Sequence, residues 1–291
     1  MCFLPGETER PPGFAIDARI ARRRFERSAN SYAQASRLEA EIGARMLERL
    51  DYVKLAPRRV LDAGSGPARD ARTLARRYRK ADVLALDFSQ AMLHAGRQRL
   101  RFFERRRPKP VCADLVRLPL ASATIGLVWS NMALHWAADP FAALREFHRV
   151  LALEGLLMFS TLGPDTLTEL RSAAGGARVH SFADMHDLGD MLVAAGFAEP
   201  VMDMERVTMM YADGEALLTD LRASGQTCAL TGRARGLAGR RFRAALLEKL
   251  AAQRRAGKLS VSYEVVYGHA WKAAPRQLED GRAIVRFERR R

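Results

Sequence analysis

The chain has 291 residues, 48% of them hydrophobic and 28% charged, enough for one generous domain or two small ones. No apolar run approaches the roughly 20 residues that span a bilayer. The opening "MCFLPGETERPP" also lacks the basic start and apolar middle of a secretory signal, so a soluble, cytoplasmic chain with no membrane partner is expected. A formal net charge of +15 calls for an anionic partner: nucleic acid, a membrane surface or an acidic protein. Only six of the 48 basic residues are lysine. Genomic codon composition produces the same bias, so charge alone does not choose among them. The three cysteines, Cys2, Cys112 and Cys228, stand far apart and outside any Cys-x-x-Cys pair. This argues against a disulfide framework and against a metal site. Cys112, inside an apolar run, reads as a small buried hydrophobe.

In chain order, residues 17–50 read as helical, with Phe25, Ala29 and Tyr32 on one face, and residues 1–50 are read as an N-terminal helical lid. From 58 to 162 short apolar runs alternate with helical segments. "RRVL", "ADVLAL", "KPVCA", "IGLVWS" and "GLLMFST" read as strands buried on both faces. Ala71, Leu74, Ala75 and Tyr78 form a helical stripe after the first run, and Ser89 is a candidate N-cap after the second. Asp139 and Pro140 start a helix whose stripe is Phe141, Leu144, Phe147 and Leu151. Ser181 is read as the cap of a helix ending at Gly196, followed by a strand in "PVMDMERVTMMY". Residues 213–257 read as a helical, arginine-rich elaboration before a last strand in "KLSVSYEVVYGHAW". Residues 51–272 thus make one α/β domain with a mostly parallel, doubly wound sheet, and 273–291 a charged, disordered tail.

An open parallel sheet binds its ligand beyond the carboxyl ends of its strands, where strand order reverses. The first strand-to-helix turn reads "DAGSGPA" from Asp62 to Ala68. Gly64 and Gly66 allow a sharp turn and close approach of a ligand, and the helix beginning at Pro67 offers free N–H groups. A dinucleotide loop would need glycine at position 69, which is Arg69. The S-adenosylmethionine pattern, acid-x-Gly-x-Gly-x-Gly, fails only at Ala68. Asp87 ends the second strand, where a carboxylate accepts from ribose hydroxyls. Asp114 ends the third, facing the adenine position. The fourth strand ends in "VWSNMALHW", placing Ser130 and Asn131 where a reactive methyl would emerge. The Asn/Asp-Pro-Pro-aromatic tetrad of adenine methylation is absent there, and so is the cysteine of cytosine methylation, which counts against nucleic-acid substrates. His135 is a candidate general base or a packing histidine.

These stretches resemble the class I S-adenosylmethionine-dependent methyltransferases, and within them the malonyl-acyl-carrier-protein O-methyltransferases of biotin synthesis. The likeness is carried by "RRFERSANSYAQASRLEAEIGARMLERL", "VLDAGSGP", "LALDFSQAML", "ADLVRLPLASATIGLVWSNMALHW", "LREFHRVLALEGLLMFSTLGPDTLTELR" and "YEVVYGHAW". It implies a Rossmann-like fold, S-adenosyl-L-methionine as cofactor, and an acidic acyl carrier protein bearing a malonyl thioester as partner to a monomeric enzyme. It also implies cofactor contacts from Asp62, Gly64, Ser65, Gly66, Asp87, Phe88, Met92, Asp114, Leu115 and Ser130. Tyr32 would close over the cofactor, and Tyr32, Ser130, Asn131, His135 and Trp136 form the candidate catalytic pool. Ala68 and Gly126 depart from the family pattern, the latter standing where an aspartate is usual. The arginine-rich segments 97–107 and 233–243 are candidate carrier-docking faces. Relatives of the same fold acting on quinone precursors or hydroxylating arginine, and a non-catalytic binding module, are the alternatives.

Overall fold

The computed structural model describes residues 16–98, 107–233, 236 and 238–274. The chain start, the tail from residue 275 and residues 99–106, which carry most of one arginine-rich segment, lie outside the described residues. Three helices come first: α1 (Ala18–Ser28), α2 (Tyr32–Ala35) and α3 (Arg37–Leu50). The alternating unit follows as β1 (Arg59–Ala63), α4 (Arg69–Arg77), β2 (Asp82–Asp87), α5 (Gln90–Gln98), β3 (Lys109–Cys112), β4 (Ile125–Ser130), α6 (Pro140–Val150) and β5 (Leu151–Leu162). Then come α7 (Thr168–Ala174), α8 (Met185–Ala194), β6 (Ala198–Tyr211), α9 (Gly214–Ala223), α10 (Arg240–Ala252) and β7 (Leu259–Trp271).

The seven strands form one sheet in the order β3-β2-β1-β4-β5-β7-β6. The first five are parallel, and β7 runs antiparallel to both neighbours. From β1 the chain winds outward to β3 and then returns to β4, so strand order reverses between β1 and β4. Alternate residues of these strands enter opposite cores. Val60, Leu127, Trp129 and Met158 pack with α3, α4, α7, α9 and α10. Leu61, Val128, Leu157 and Phe159 pack with α6 and α8. Helices on both faces bury both sides of the central strands, the reason those runs are apolar throughout. Among the described residues no helix is long and apolar enough to cross a membrane.

Local signals mostly act where expected. Asp139 caps α6 by accepting from the Ala142 N–H at 3.0 Å, and Ser89 Oγ accepts from Met92 N–H at 3.3 Å. Four readings are corrected. β3 is the sheet's edge strand, so it is largely exposed, and Cys112 with it. Its Sγ lies 3.7 Å from the Phe88 carbonyl. α8 begins at Asp184, not Ser181: the Asp184 carboxylate accepts from His186 N–H at 2.6 Å, and an ionised acceptor outcompetes a serine hydroxyl. Leu151 opens β5 instead of closing the α6 stripe, which Val150 completes. The stretch 213–257 holds two separate helices, α9 and α10. Gly126 has a packing reason: a Cβ there would lie 2.9 Å from Pro57 Cβ, at a register shift between β4 and β5.

Candidate active site

The chain leaves β1 buried at Asp62 and turns back so that the N–H groups of Gly64 and Ser65 both donate to the Leu86 carbonyl of β2, at 2.8 and 2.9 Å. Gly64 takes φ +81 and Gly66 φ +51. A Cβ on Gly64 would come within 2.2 Å of Ala133 Cβ, so only glycine fits beneath the β4 loop. Asp87 locks this loop: its Oδ2 accepts from Gly66 N–H and its Oδ1 from Ser89 N–H, each at 2.8 Å. Ala68, the position lacking the expected glycine, adopts φ 58 and ψ 37. The left-handed conformation that glycine would supply freely is present, held by an alanine at a cost of about 1 kcal/mol.

Two adjoining hollows lie over this loop. The larger is lined by Gly64, Gly66, Asp87, Phe88, Met92, Asp114 and Leu115 from the strand ends, by Asn131 to Ala133 after β4, and by Tyr32, Phe25 and Trp136 above. The smaller is lined by Asp62, Ser65, Pro67, Arg69 and Asp70 with Tyr32, Glu39 and Asn131. Phe25 of α1 organises the upper wall, edge-on to Trp136 with ring centroids 5.0 Å apart and 5.8 Å from Phe88. Tyr32 lies over Gly66, its Cε1 3.6 Å from where a Cβ would stand.

The electrostatics are those of a cation site. Four buried carboxyls, Glu39, Asp62, Asp70 and Asp87, surround the loop. Burial pushes Asp87 up to about 6 and Glu39 to about 7. Burial, then the charge of Asp70, holds Asp62 well above the usual carboxylate range. Asp62 Oδ2 and Ser65 Oγ have no hydrogen-bond partner in the structure, although both are buried. Unpaired buried acceptors are costly, and a ligand carrying an ammonium and a sulfonium charge would satisfy these. The residues therefore fit S-adenosylmethionine: Asp62 and Ser65 could hold its amino-acid end, Asp87 its ribose, and Asp114 and Leu115 its base. Asp114 Oδ1 also accepts from Val116 N–H at 3.1 Å, which orients it.

Of the expected catalytic pool, Tyr32, Asn131 and Trp136 reach the larger hollow. Ser130 does not: it is fully buried and its hydroxyl donates to the Ala63 carbonyl at 3.0 Å, tying β4 to β1. His135 does not either. It turns toward Thr161 Oγ1 at 3.2 Å and packs edge-on against Phe182. Burial, and then His180, hold it down to about 3, so it is a neutral packing histidine. Asn131 lines both hollows but its polar atoms are occupied. Nδ2 donates to the Glu39 carbonyl and to Asp70 Oδ2, and Oδ1 accepts from Ser160 Oγ, all within 2.8–2.9 Å. It is a positioning residue that ties α3, α4 and β5 together.

Glu39 and Gln226 were not singled out from the sequence, and Phe25 was read there only as part of a helix face. Glu39 sits on the buried stripe of α3 with Ile42, Gly43 and Met46, and a lone acid on an apolar helix face is the signal that marks it. Gln226, beyond α9, donates to Glu39 Oε1 and carries no sequence signal.

Residues 61–159 match the family model described as "Methyltransferase domain". A malonyl-[acyl-carrier protein] O-methyltransferase of Gallionella capsiferriformans is 50% identical over 281 residues, covering 94% of this chain and 97% of its own. The chain belongs to that family. Among solved structures, the YcgJ protein of Bacillus subtilis aligns with TM-score 0.59 at 14% identity, covering 79% of this chain and 98% of its own. Haemonchus contortus phosphoethanolamine N-methyltransferase 2, in complex with S-adenosylhomocysteine, aligns with TM-score 0.51 at 16% identity, covering 80% of this chain and 52% of its own. At such identities the likeness establishes the fold, a Rossmann-like class I methyltransferase sheet.

Proposed function

We infer that the chain transfers the methyl group of S-adenosylmethionine to the free carboxylate of a malonyl thioester carried on an acyl carrier protein, the step that feeds biotin synthesis. The observation that carries this reading is family membership, at 50% identity over 94% of the chain, beside a hollow with no histidine among its described lining residues. His135 is neutral and directed elsewhere. Tyr32 is held protonated by burial and by the nearby Glu39 and Asp87. An acceptor that is already an anion at neutral pH needs no deprotonation, and a malonyl carboxylate is one.

The cofactor supplies an electrophilic methyl on a sulfonium. The chain's part is to hold and enclose. Asp62, Asp87 and Glu39 form an anionic cradle, Asn131 fixes the helices that carry it, and Phe25, Tyr32 and Trp136 keep water from the reacting face. Rate enhancement then rests on alignment, worth up to roughly 7–11 kcal/mol. In this reading the described part of the N-terminal segment, residues 16–50, acts as the lid, and the net charge of +15 favours an acidic carrier over a neutral one. The test is transfer of labelled methyl from S-adenosylmethionine to purified malonyl-carrier protein. Labelled malonyl methyl ester is expected on the carrier, and cofactor-bound enzyme that transfers none refutes the reading.

A further inference from the structure

A second, roomier cavity of about 200 Å³ opens beside the first and shares two of its residues, Trp136 and Gln226. The two differ in chemistry. The first is bordered by Glu39, Asp87 and Asp114. The second has no acidic residue among its lining. Its walls come from α7, α9 and α10, including Leu170, Leu218 and Leu246, and among the described residues its only charged linings are Arg178 and Arg222. Both arginines are exposed and so stand at the rim. Neither has an ion-pair partner among the described residues. Arg178 lies with its guanidinium 4.1 Å over the Phe242 ring, also a wall of the cavity. Stacking holds the guanidinium plane while leaving its N–H edge free for an anion.

We propose that this cavity is the channel for the thioester arm of the acyl carrier, with Arg178 and Arg222 binding the arm's phosphodiester at the rim. The proposal rests on the carrier-linked reading above. Such an arm is a long, weakly polar chain with a phosphodiester at the carrier end and, here, a carboxylate at the other. The cavity offers the matching sequence: a cationic rim, an apolar passage, and an inner end at Trp136 and Gln226 where it meets the cofactor hollow. Cationic cofactor and anionic arm are thereby sorted by charge into adjoining cavities. Arg240 and Arg241, exposed at the start of α10 just before the cavity-lining Phe242, add positive charge where the acidic body of the carrier would rest.

The experiment compares malonyl phosphopantetheine with malonyl N-acetylcysteamine, which lacks both the phosphate and most of the arm, in wild type and in Arg178→Ala/Arg222→Ala. The wild type is expected to prefer the phosphate-bearing thioester in kcat/KM. The double variant is expected to lose roughly tenfold or more of that preference, with calorimetric affinity for S-adenosylmethionine checking that the fold is intact. An unchanged preference in a folded, cofactor-binding variant overturns the channel assignment. Wild-type protein that binds cofactor yet methylates neither thioester nor the malonyl carrier refutes the underlying function instead, so the two failures are distinguishable.

Discussion

The floor and the cover of the cofactor hollow are built on different principles. The floor is local in sequence: "DAGSGPA" turns beneath β4, and Asp87, one strand away, fastens it through Gly66 and Ser89. The cover is assembled from segments that lie 187 to 203 residues apart at its side-chain links. The Asp17 N–H donates to the Ala229 carbonyl at 2.8 Å, Arg24 to Thr227 Oγ1, Ser31 Oγ to the Ala223 carbonyl at 2.7 Å, and Gln226 to Glu39. The floor is stiff because strand ends and positive-φ residues admit few alternatives. At α1 the cover is held by these polar links and by the small apolar cluster of Ile16, Ala21, Ala229 and Leu230, and elements so held open first. Substrate must enter somewhere, and this division places opening on the cover while the cofactor's charged groups stay with the floor.

The most severe way to break the floor is Asp87→Ala, which leaves the Gly66 N–H unpaired and removes the ribose acceptor. A hydrogen bond to a charged group contributes roughly 1.5–3 kcal/mol, so cofactor affinity by calorimetry is expected to fall roughly 10–100-fold or more. An affinity within threefold of wild type would mean that Asp87 neither locks the loop nor holds the cofactor.

Glu39 belongs to the cover yet contributes to the charge of the floor, and pH separates the two roles. Its carboxyl is raised to about 7 and that of Asp87 to about 6, both above their values in the unfolded chain. These two carboxyls therefore bind more protons folded than unfolded, while His135 and His180, held low by burial, do the reverse below about pH 6.5, so the decline in stability without cofactor should show between about pH 6.5 and 7.5. Cofactor binding has the opposite slope, since ionised carboxylates attract the cation: affinity should rise through pH 6–7 and then level. Thermal melts with and without S-adenosylmethionine measure both. Glu39→Gln should flatten the upper part of each curve and weaken cofactor binding by roughly tenfold. Parallel slopes with and without ligand would exclude this account.

A milder cut falls on the links of the cover. Ser31→Ala removes one hydrogen bond worth about 1 kcal/mol. The expected signature is faster amide exchange in α2 and at residues 223–227, with exchange in β1 and β4 unaltered. Equal acceleration in the β strands would show that floor and cover unfold together.

The same contrast explains what could be read from the sequence. The floor was legible because each requirement is local: a turn needs glycine, a strand end needs an acid, and the acids at 62, 87 and 114 recur in register with the strands. The cover was not, because Gln226 meets Glu39 only once α9 has folded against α2 and α3. That the side chains of Ser130 and His135 turn away from the hollow was hidden for a related reason. Sequence position locates a residue at the end of β4 but does not tell toward which neighbour its side chain turns. The edge position of β3 was likewise hidden, since strand order is not written in the run "KPVCA".

The smallest change sharpens the floor itself. Ala68 sits at φ 58 where glycine would rest without strain. Ala68→Gly relieves about 1 kcal/mol in the folded loop, while the freer unfolded chain takes back roughly 0.5–1 kcal/mol. Global stability should therefore move by less than about 1 kcal/mol. Cofactor affinity is measured within the folded state, so the unfolded-chain term drops out of it. Any gain in affinity, at most a few-fold, reports only the strain that the loop carries and that binding relieves. An unchanged affinity would show that alanine holds the same loop geometry bound and free, so that the strain is constant and the third glycine dispensable.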